Sequence, residues 1–234
     1  MKRAFAIVVR DNVVSEKAFE VLLESHSRHN GNLFTIERFE AVTPESNERV
    51  LQENDLVWNY PWEKKEFDRV TGLWKSPYST RNRAAKISCS LSHFLLWKTC
   101  LEKNEPILIL EHDAVFIRRL ESEYILESDY EIIGINSPKK ATRRADVFEK
   151  SIRYGDGLIQ PVPRIDYPNI PQGLAGASAY IMKPSGAQKA IDLFKKHGVW
   201  PNDAAICYQL IGDTLGVTKT FYTQVQGTPS TSTT

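Results

Sequence analysis

The feature that most narrows the folds open to this chain is the run Ile107-Leu108-Ile109-Leu110, followed without a break by Glu111-His112-Asp113. Four branched apolar residues with no polar alternation read as a short strand covered on both faces. Strands of that kind belong to sheets with helices on either side, so the expected fold class is an α/β sandwich around a mostly parallel central sheet. In such sheets ligands sit beyond the carboxyl ends of the strands, which is where Glu111 and Asp113 fall.

The rest of the chain repeats the theme. Ala4–Val9 is a second buried strand. Ser15 is placed to cap a helix carrying Phe19, Leu22, Leu23 and His26, Gly31 to end it, and Leu33–Phe39 follows as a strand, completing a β-α-β unit. Residues 43–79, rich in Pro, Asn, Glu and Trp, read as irregular, with a short helix over Glu45–Gln52. Ile87 to Lys103 shows helical apolar spacing and is stopped by Asn104 and Pro106. A strand is expected over Glu131–Ile135, a long loop or flap over 137–171, and a small-residue strand over Ala177–Met182. Ser185 and Gln188 have capping-box spacing for a helix ending near His197, with Gly198 as its stop. A last helix begins at Asn202 or Asp203, and the Ser/Thr-rich stretch 227–234 reads as a flexible tail.

With 30 Lys+Arg against 29 Asp+Glu, the chain carries no broad field for gripping nucleic acid or an anionic membrane. Its three cysteines, Cys89, Cys100 and Cys207, are far apart and form no CxxC pair, which points away from a zinc knuckle or disulfide framework and toward a reducing, cytoplasmic setting. No apolar stretch reaches the roughly 18 residues of a membrane span, so any work at the inner membrane is expected from its surface.

Two carboxylates one residue apart on extended backbone face the same way, with His112 facing the other. Hard oxygen ligands suit Mn2+ or Mg2+ held together with substrate phosphates. A solvated turn or helix cap is the plainer alternative for the same pattern.

Context favours the metal. The segment from Ile87 through Leu91-Ser92-His93 to Trp97, then Ile107 to Asp113, resembles glycosyltransferase family 25, whose pattern is a small-residue run ending in Leu-Ser-His, a Trp four residues on, and a strand ending in Glu-Asp-Asp. Gly176-Ala177-Ser178-Ala179-Tyr180, with Ser185-Gly186-Ala187-Gln188-Lys189 after it, and Pro201-Asn202-Asp203 match two further elements of that family, in its order. The resemblance spans roughly Arg83 to Leu210. It implies one GT-A type nucleotide-sugar-binding domain over residues 1–226. It also implies a divalent metal and an inverting transfer from a UDP-sugar to an acceptor hydroxyl, of a glycan such as lipopolysaccharide. A protein or hydroxylated nucleobase is the other acceptor class.

Carried over, Glu111 and Asp113 become the metal site and Glu111 a catalytic residue. Asp203 becomes either the base that deprotonates the acceptor or the N-cap of the last helix. His112 stands where the family has its middle aspartate, removing one negative charge but leaving a neutral ligand. Arg10-Asp11-Asn12 replaces the usual Asn-Leu after the first strand, and Ala41-Val42-Thr43 lacks the family's acid. Arg83 and Lys86, cations placed against a helix dipole, invite a diphosphate or are a solvated turn. The Lys139–Arg144 cluster has the same two readings. Ser92 is a close-packing position or a donor contact. His93 is a core histidine or a partner for the Glu111 loop. Gly176 allows a turn or a sugar's close approach. Two other functions remain as alternatives: a degenerate, non-catalytic binding protein, motivated by His112, and a metal-dependent phosphohydrolase.

Overall fold

The computed structural model describes residues 1–78, 80–142 and 144–227; Arg143 and the tail expected to be flexible, from residue 228 on, lie outside them. Strand β1 (Arg3–Val8), helix α1 (Val13–Asn30) and strand β2 (Thr35–Glu40) form the expected crossover, β1 and β2 pairing in parallel with Ala4 opposite Ile36. The helix starts earlier than expected. Asn12 is its cap, its Oδ1 accepting from the Ser15 amide at 3.0 Å, while Ser15 turns inward to accept from the Val9 amide. Gly31 does end it, at φ 53°.

The segment after β2 holds helix α2 (Asn47–Glu53) and a small hairpin, β3 (Glu66–Asp68) with β4 (Leu73–Lys75). Helix α3 runs Arg83–Lys103, one turn longer at its start than the apolar spacing suggested, because Asn82 Oδ1 caps it by accepting from the Ala85 amide at 2.9 Å. Strand β5 (Ile107–Glu111) then enters the middle of the sheet. It is followed by β6 (Ala114–Phe116), α4 (Ser122–Glu127) and β7 (Ile132–Gly134).

The expected flap over 137–171 is partly structured: α5 (Ala145–Tyr154) and β8 (Ile159–Pro161) lie within it. Phe148 and Ile152, one turn apart, are buried, and Arg153 pairs back to Glu149 on the same face. After it come β9 (Ala179–Met182), α6 (Pro184–His197), α7 (Asn202–Ala205), α8 (Tyr208–Ile211), β10 (Leu215–Thr218) and β11 (Thr223–Val225). The capping box at Ser185 and Gln188 is not formed. Lys183 is the cap residue, Pro184 opens the helix with its preset φ, and Gln188 donates to Asp192 instead. Gly198 ends α6 as expected, at φ 79°.

Seven strands form one sheet in the order β2-β1-β5-β9-β7-β10-β8. The pairings make five run one way, with β9 and β8 reversed, so the expected mostly parallel sandwich is present. β5 alternates between the two layers. Ile107 and Ile109 pack with Trp97 and Phe194 on one side, Leu108 and Leu110 with Ala4, Ala6 and Val8 on the other. That two-faced burial is why the strand carries no polar residue until Glu111. Among the described residues no helix is long and apolar enough to cross a membrane.

The reversal of β9 shapes the site. Because β9 runs against β5, with Leu110 opposite Ala179, the beginning of β9 lies beside the end of β5. Ser178 therefore meets Glu111, accepting from the Glu111 amide at 2.8 Å.

Candidate active site

A cleft of about 630 Å³ opens at the carboxyl ends of β1 and β5. Lys86, Ser92, His93, Glu111, His112, Asp113, Gly176 and Asp203 all line it. Arg83 does not: its guanidinium lies over the Trp62 ring at 5.6 Å and pairs with Glu63 at 3.1 Å. The expectation that it meets a diphosphate in this cleft is not what its position supports.

Glu111 ends a chain of hydrogen bonds that joins the resembling segments. Trp97 Nε1–H donates to Tyr180 Oη at 2.8 Å. An indole nitrogen only donates, so the phenolic hydrogen is left for His93 Nδ1, also at 2.8 Å. His93 then carries its proton on Nε2 and donates to Glu111 Oε1 at 3.3 Å, a tautomer assigned from the network. Ser178 Oγ–H donates to Glu111 Oε2 at 3.0 Å. Burial would raise this carboxyl, but the His93 contacts, then Lys86 and Ser178, hold it well below the usual carboxylate range. His93 is thus both things the sequence allowed, a core histidine and the support of the Glu111 loop.

Asp113 behaves oppositely. Burial first, and the Glu111 charge second, push its carboxyl up, and its Oδ1 is buried with no hydrogen-bond partner among the described residues. An unpaired buried carboxylate oxygen beside a second carboxylate is costly without a cation. The pair therefore fits a hard divalent ion on the evidence of its own strain. His112 is held neutral chiefly by burial, with its ring bonded to the backbone of Ile7 in β1.

Asp203, which also lines the cleft, is the second residue of α7, whose cap is Pro201 with no side-chain bond. The helix-cap reading of Asp203 is therefore not what the structure forms. Its Oδ1 too is buried and has no hydrogen-bond partner among the described residues. Lys86 is buried, with Nζ 4.2 Å from the centroid of the Tyr78 ring. Burial would weaken its ammonium, but Asp203 foremost, then Cys89 and Glu111, outweigh it and the pKa is raised. Tyr78 is pushed well above its usual range by burial, then by the charge of Asp203 and a hydrogen bond to it.

Ser92 is spoken for structurally, accepting from the Val42 amide and donating to the Ser88 carbonyl. Gly176 adopts φ 82°, and a Cβ there would stand 2.6 Å from Ala141 Cβ, so the glycine lets the 138–141 loop settle on the cleft. That loop brings in Lys140, at φ 63°, which the sequence reading grouped only within a basic cluster. Ser178 and Tyr78 were not singled out: Ser178 lies inside the resembling segment 176–180 but is brought to Glu111 by the reversed β9, and Tyr78 stands outside every motif, after the β3–β4 hairpin.

A family model described as glycosyltransferase family 25 (LPS biosynthesis protein) matches residues 18–206. No curated protein matches the sequence. Among solved structures, the galactosyltransferase LgtC in complex with donor and acceptor sugar analogues aligns with TM-score 0.42 and 10% identity, over 93% of this chain and 73% of that one. Mouse xyloside xylosyltransferase 1, in its apo form, aligns with TM-score 0.41 and 9% identity, over 91% of this chain and 80% of that one. The glycosyltransferase GlyE of Streptococcus pneumoniae TIGR4 aligns with TM-score 0.41 and 14% identity, over 93% of this chain and 45% of that one.

Proposed function

The chain belongs to glycosyltransferase family 25, and from that premise we propose an inverting transfer of galactose or a related sugar from a UDP-sugar to a hydroxyl of a glycan such as lipopolysaccharide. The observation that carries the reading is the pair of buried carboxylate oxygens, Asp113 Oδ1 and Asp203 Oδ1, both in one cleft and neither with a hydrogen-bond partner among the described residues. Each wants something the protein itself does not supply, a cation at one and a proton donor at the other.

Glu111 and Asp113 would hold Mn2+ or Mg2+, which when bound supplies charge neutralisation for a diphosphate leaving group. Glu111 is oriented for that by His93 and Ser178, on its two carboxylate oxygens. Lys86 offers a second positive charge inside the cleft. Asp203 receives the acceptor hydroxyl proton at Oδ1, with Lys86 lining the same cleft. The raised Tyr78 hydroxyl keeps its own proton and donates to Asp203, orienting the base. A lipid-linked acceptor would bring this activity to the inner membrane surface from the cytoplasm.

The test is calorimetric titration of a panel of nucleotide sugars with Mn2+ and again with EDTA, followed by product analysis with glycan acceptors. Binding of one UDP-sugar that the chelator abolishes, and a product of inverted anomeric configuration, are expected. Donor binding with no transfer to any acceptor would instead favour a degenerate binding protein, the reading that the neutral His112 imidazole supports. Phosphate release without an acceptor would point to a hydrolase.

A further inference from the structure

We propose that the same cleft contains a second, thiophilic metal site, in which Cys89, His93 and Glu111 bind a zinc-class ion and thereby switch transfer off. The site is argued from geometry alone; its inhibitory consequence rests on the transferase reading above.

The Cys89 thiol, a His93 ring nitrogen and a Glu111 carboxylate oxygen all lie within 4.8 Å of one another. Cys89 and His93 are four residues apart on α3 and so share one helix face, while Glu111 arrives from the end of β5. Ligands placed around one tetrahedral zinc stand about 3.5 Å apart, given metal–ligand distances of about 2.0–2.3 Å. The three groups are therefore a small side-chain rotation from closing on an ion.

Ser178 holds one Glu111 oxygen and Tyr180 one His93 nitrogen, but the atoms that would meet the ion are loosely held. The His93 Nε2–Glu111 contact, at 3.3 Å, is longer than the roughly 2.8 Å of a well-made bond to a carboxylate. The Cys89 thiol makes a long hydrogen bond, 3.8 Å, to Asn202 Oδ1. Cys89 is a free thiol. His93 is anchored through its other nitrogen by Tyr180 Oη, the outer support that metal-binding imidazoles use. For Nε2 to bind a metal its proton must leave. The ring then carries its hydrogen on Nδ1, and Tyr180 Oη accepts from both Trp97 and His93. The cost is a phenolic hydrogen turned away from its partner, which the metal bonds must exceed. The thiol proton of Cys89 is released to solvent on binding.

Sulfur makes this site chemically distinct from the hard one. A thiolate and an imidazole select Zn2+ or Co2+, whereas Mg2+ and Mn2+ prefer oxygen. Asp113 is not part of the cluster, but Glu111 belongs to both sets. A Glu111 carboxylate turned toward sulfur and nitrogen moves away from Asp113, and a second dication beside the first repels it, so zinc-class binding competes with the working metal.

Cobalt reads the site without any sugar present. Titrating Co2+ into the full chain held in excess Mg2+ should give thiolate-to-cobalt charge-transfer absorption that saturates at one equivalent and is displaced by Zn2+. Cys89→Ser and Cys89→Ala should each remove the band while retaining the native circular dichroism spectrum; persistence of the band in both would overturn the site. In the transfer assay with saturating Mn2+, one to two equivalents of Zn2+ should slow the natural chain at least tenfold. The Cys89 variants should keep their own zinc-free rate when zinc is added. A natural chain that binds cobalt through Cys89 yet transfers at full rate with zinc would overturn the shared role of Glu111. If the zinc-free chain transfers no sugar, it is the transferase reading that fails, and the cobalt band still decides the site.

Discussion

Asp113 and Asp203 show what a single residue can report when its chemistry is left incomplete. A buried carboxylate oxygen without a partner costs free energy on the order of 1–3 kcal/mol or more, so its retention asks for a ligand that meets it. The two differ in what stands nearby: Asp113 faces another carboxylate, Asp203 faces Lys86 and Tyr78. On the proposed function, that contrast assigns cation binding to Asp113 and proton transfer to Asp203. Accordingly, Asp203→Asn should lower kcat by about 10²–10⁴-fold, the usual worth of a general base, while donor affinity measured by calorimetry stays within about twofold. Equal losses in turnover and donor affinity would assign Asp203 to structure instead. Trp97, which reads from its mid-helix position as core, is core and also the first donor of the chain that ends at Glu111.

Among the elements, the reversed strand β9 and the loop over Gly176 do most to build the cleft. β9 hydrogen-bonds β5 and β7 antiparallel, delivering Ser178 to Glu111 and the Tyr180 hydroxyl to His93. The loop before it is fixed by one glycine in the left-handed region, with Ala141 in the space a side chain would need. Gly176→Ala should therefore destabilise the fold by ~1–3 kcal/mol and, by lifting the 138–141 loop with Lys140, weaken nucleotide-sugar binding. Denaturant midpoints and donor titrations on the variant check this; unchanged values for both would show that the loop's position does not depend on the glycine. Helix α5 illustrates the opposite case. Phe148 and Ile152 stand one turn apart among charges, the spacing of an amphipathic helix, so its own residues mark it and the expectation of a loop overlooked them.

For the molecule as a whole, stability should depend on pH through its buried imidazoles. His26 packs edge-on against Phe34 and Phe116, at 4.6 and 5.8 Å between ring centroids, its Nε2 without a hydrogen-bond partner among the described residues. Burial is the main cause that lowers its pKa below the ordinary 6.5. The unfolded chain then takes up the proton more readily, so this contribution to stability is present above pH 6.5 and is lost as pH falls through the folded value. Urea denaturation at pH 8 and pH 5.5 should show the natural chain losing more stability on acidification than His26→Leu; equal losses would remove His26 from the account. Much of the architecture was open to reading from residue order alone. Continuous apolar runs mark strands buried on both faces, Gly31 and Gly198 mark helix ends, and the acids after Leu110 mark the ligand end of the sheet, because each depends on chain neighbours. Caps were misplaced where a nearer local fit won: an amide hydrogen bond accepted by Asn12 at one helix, and the preset φ of Pro184 at the other. The sequence by itself determined the sandwich, the position of Glu111 and Asp113, and the resemblance that names the family. Only the tertiary structure decided that β9 runs backwards, that Arg83 turns away to Trp62, that Lys86 and Tyr78 face Asp203, and that Cys89 and His93 close on Glu111. Those facts depend on strand direction and on which faces of distant elements meet, and local sequence encodes neither.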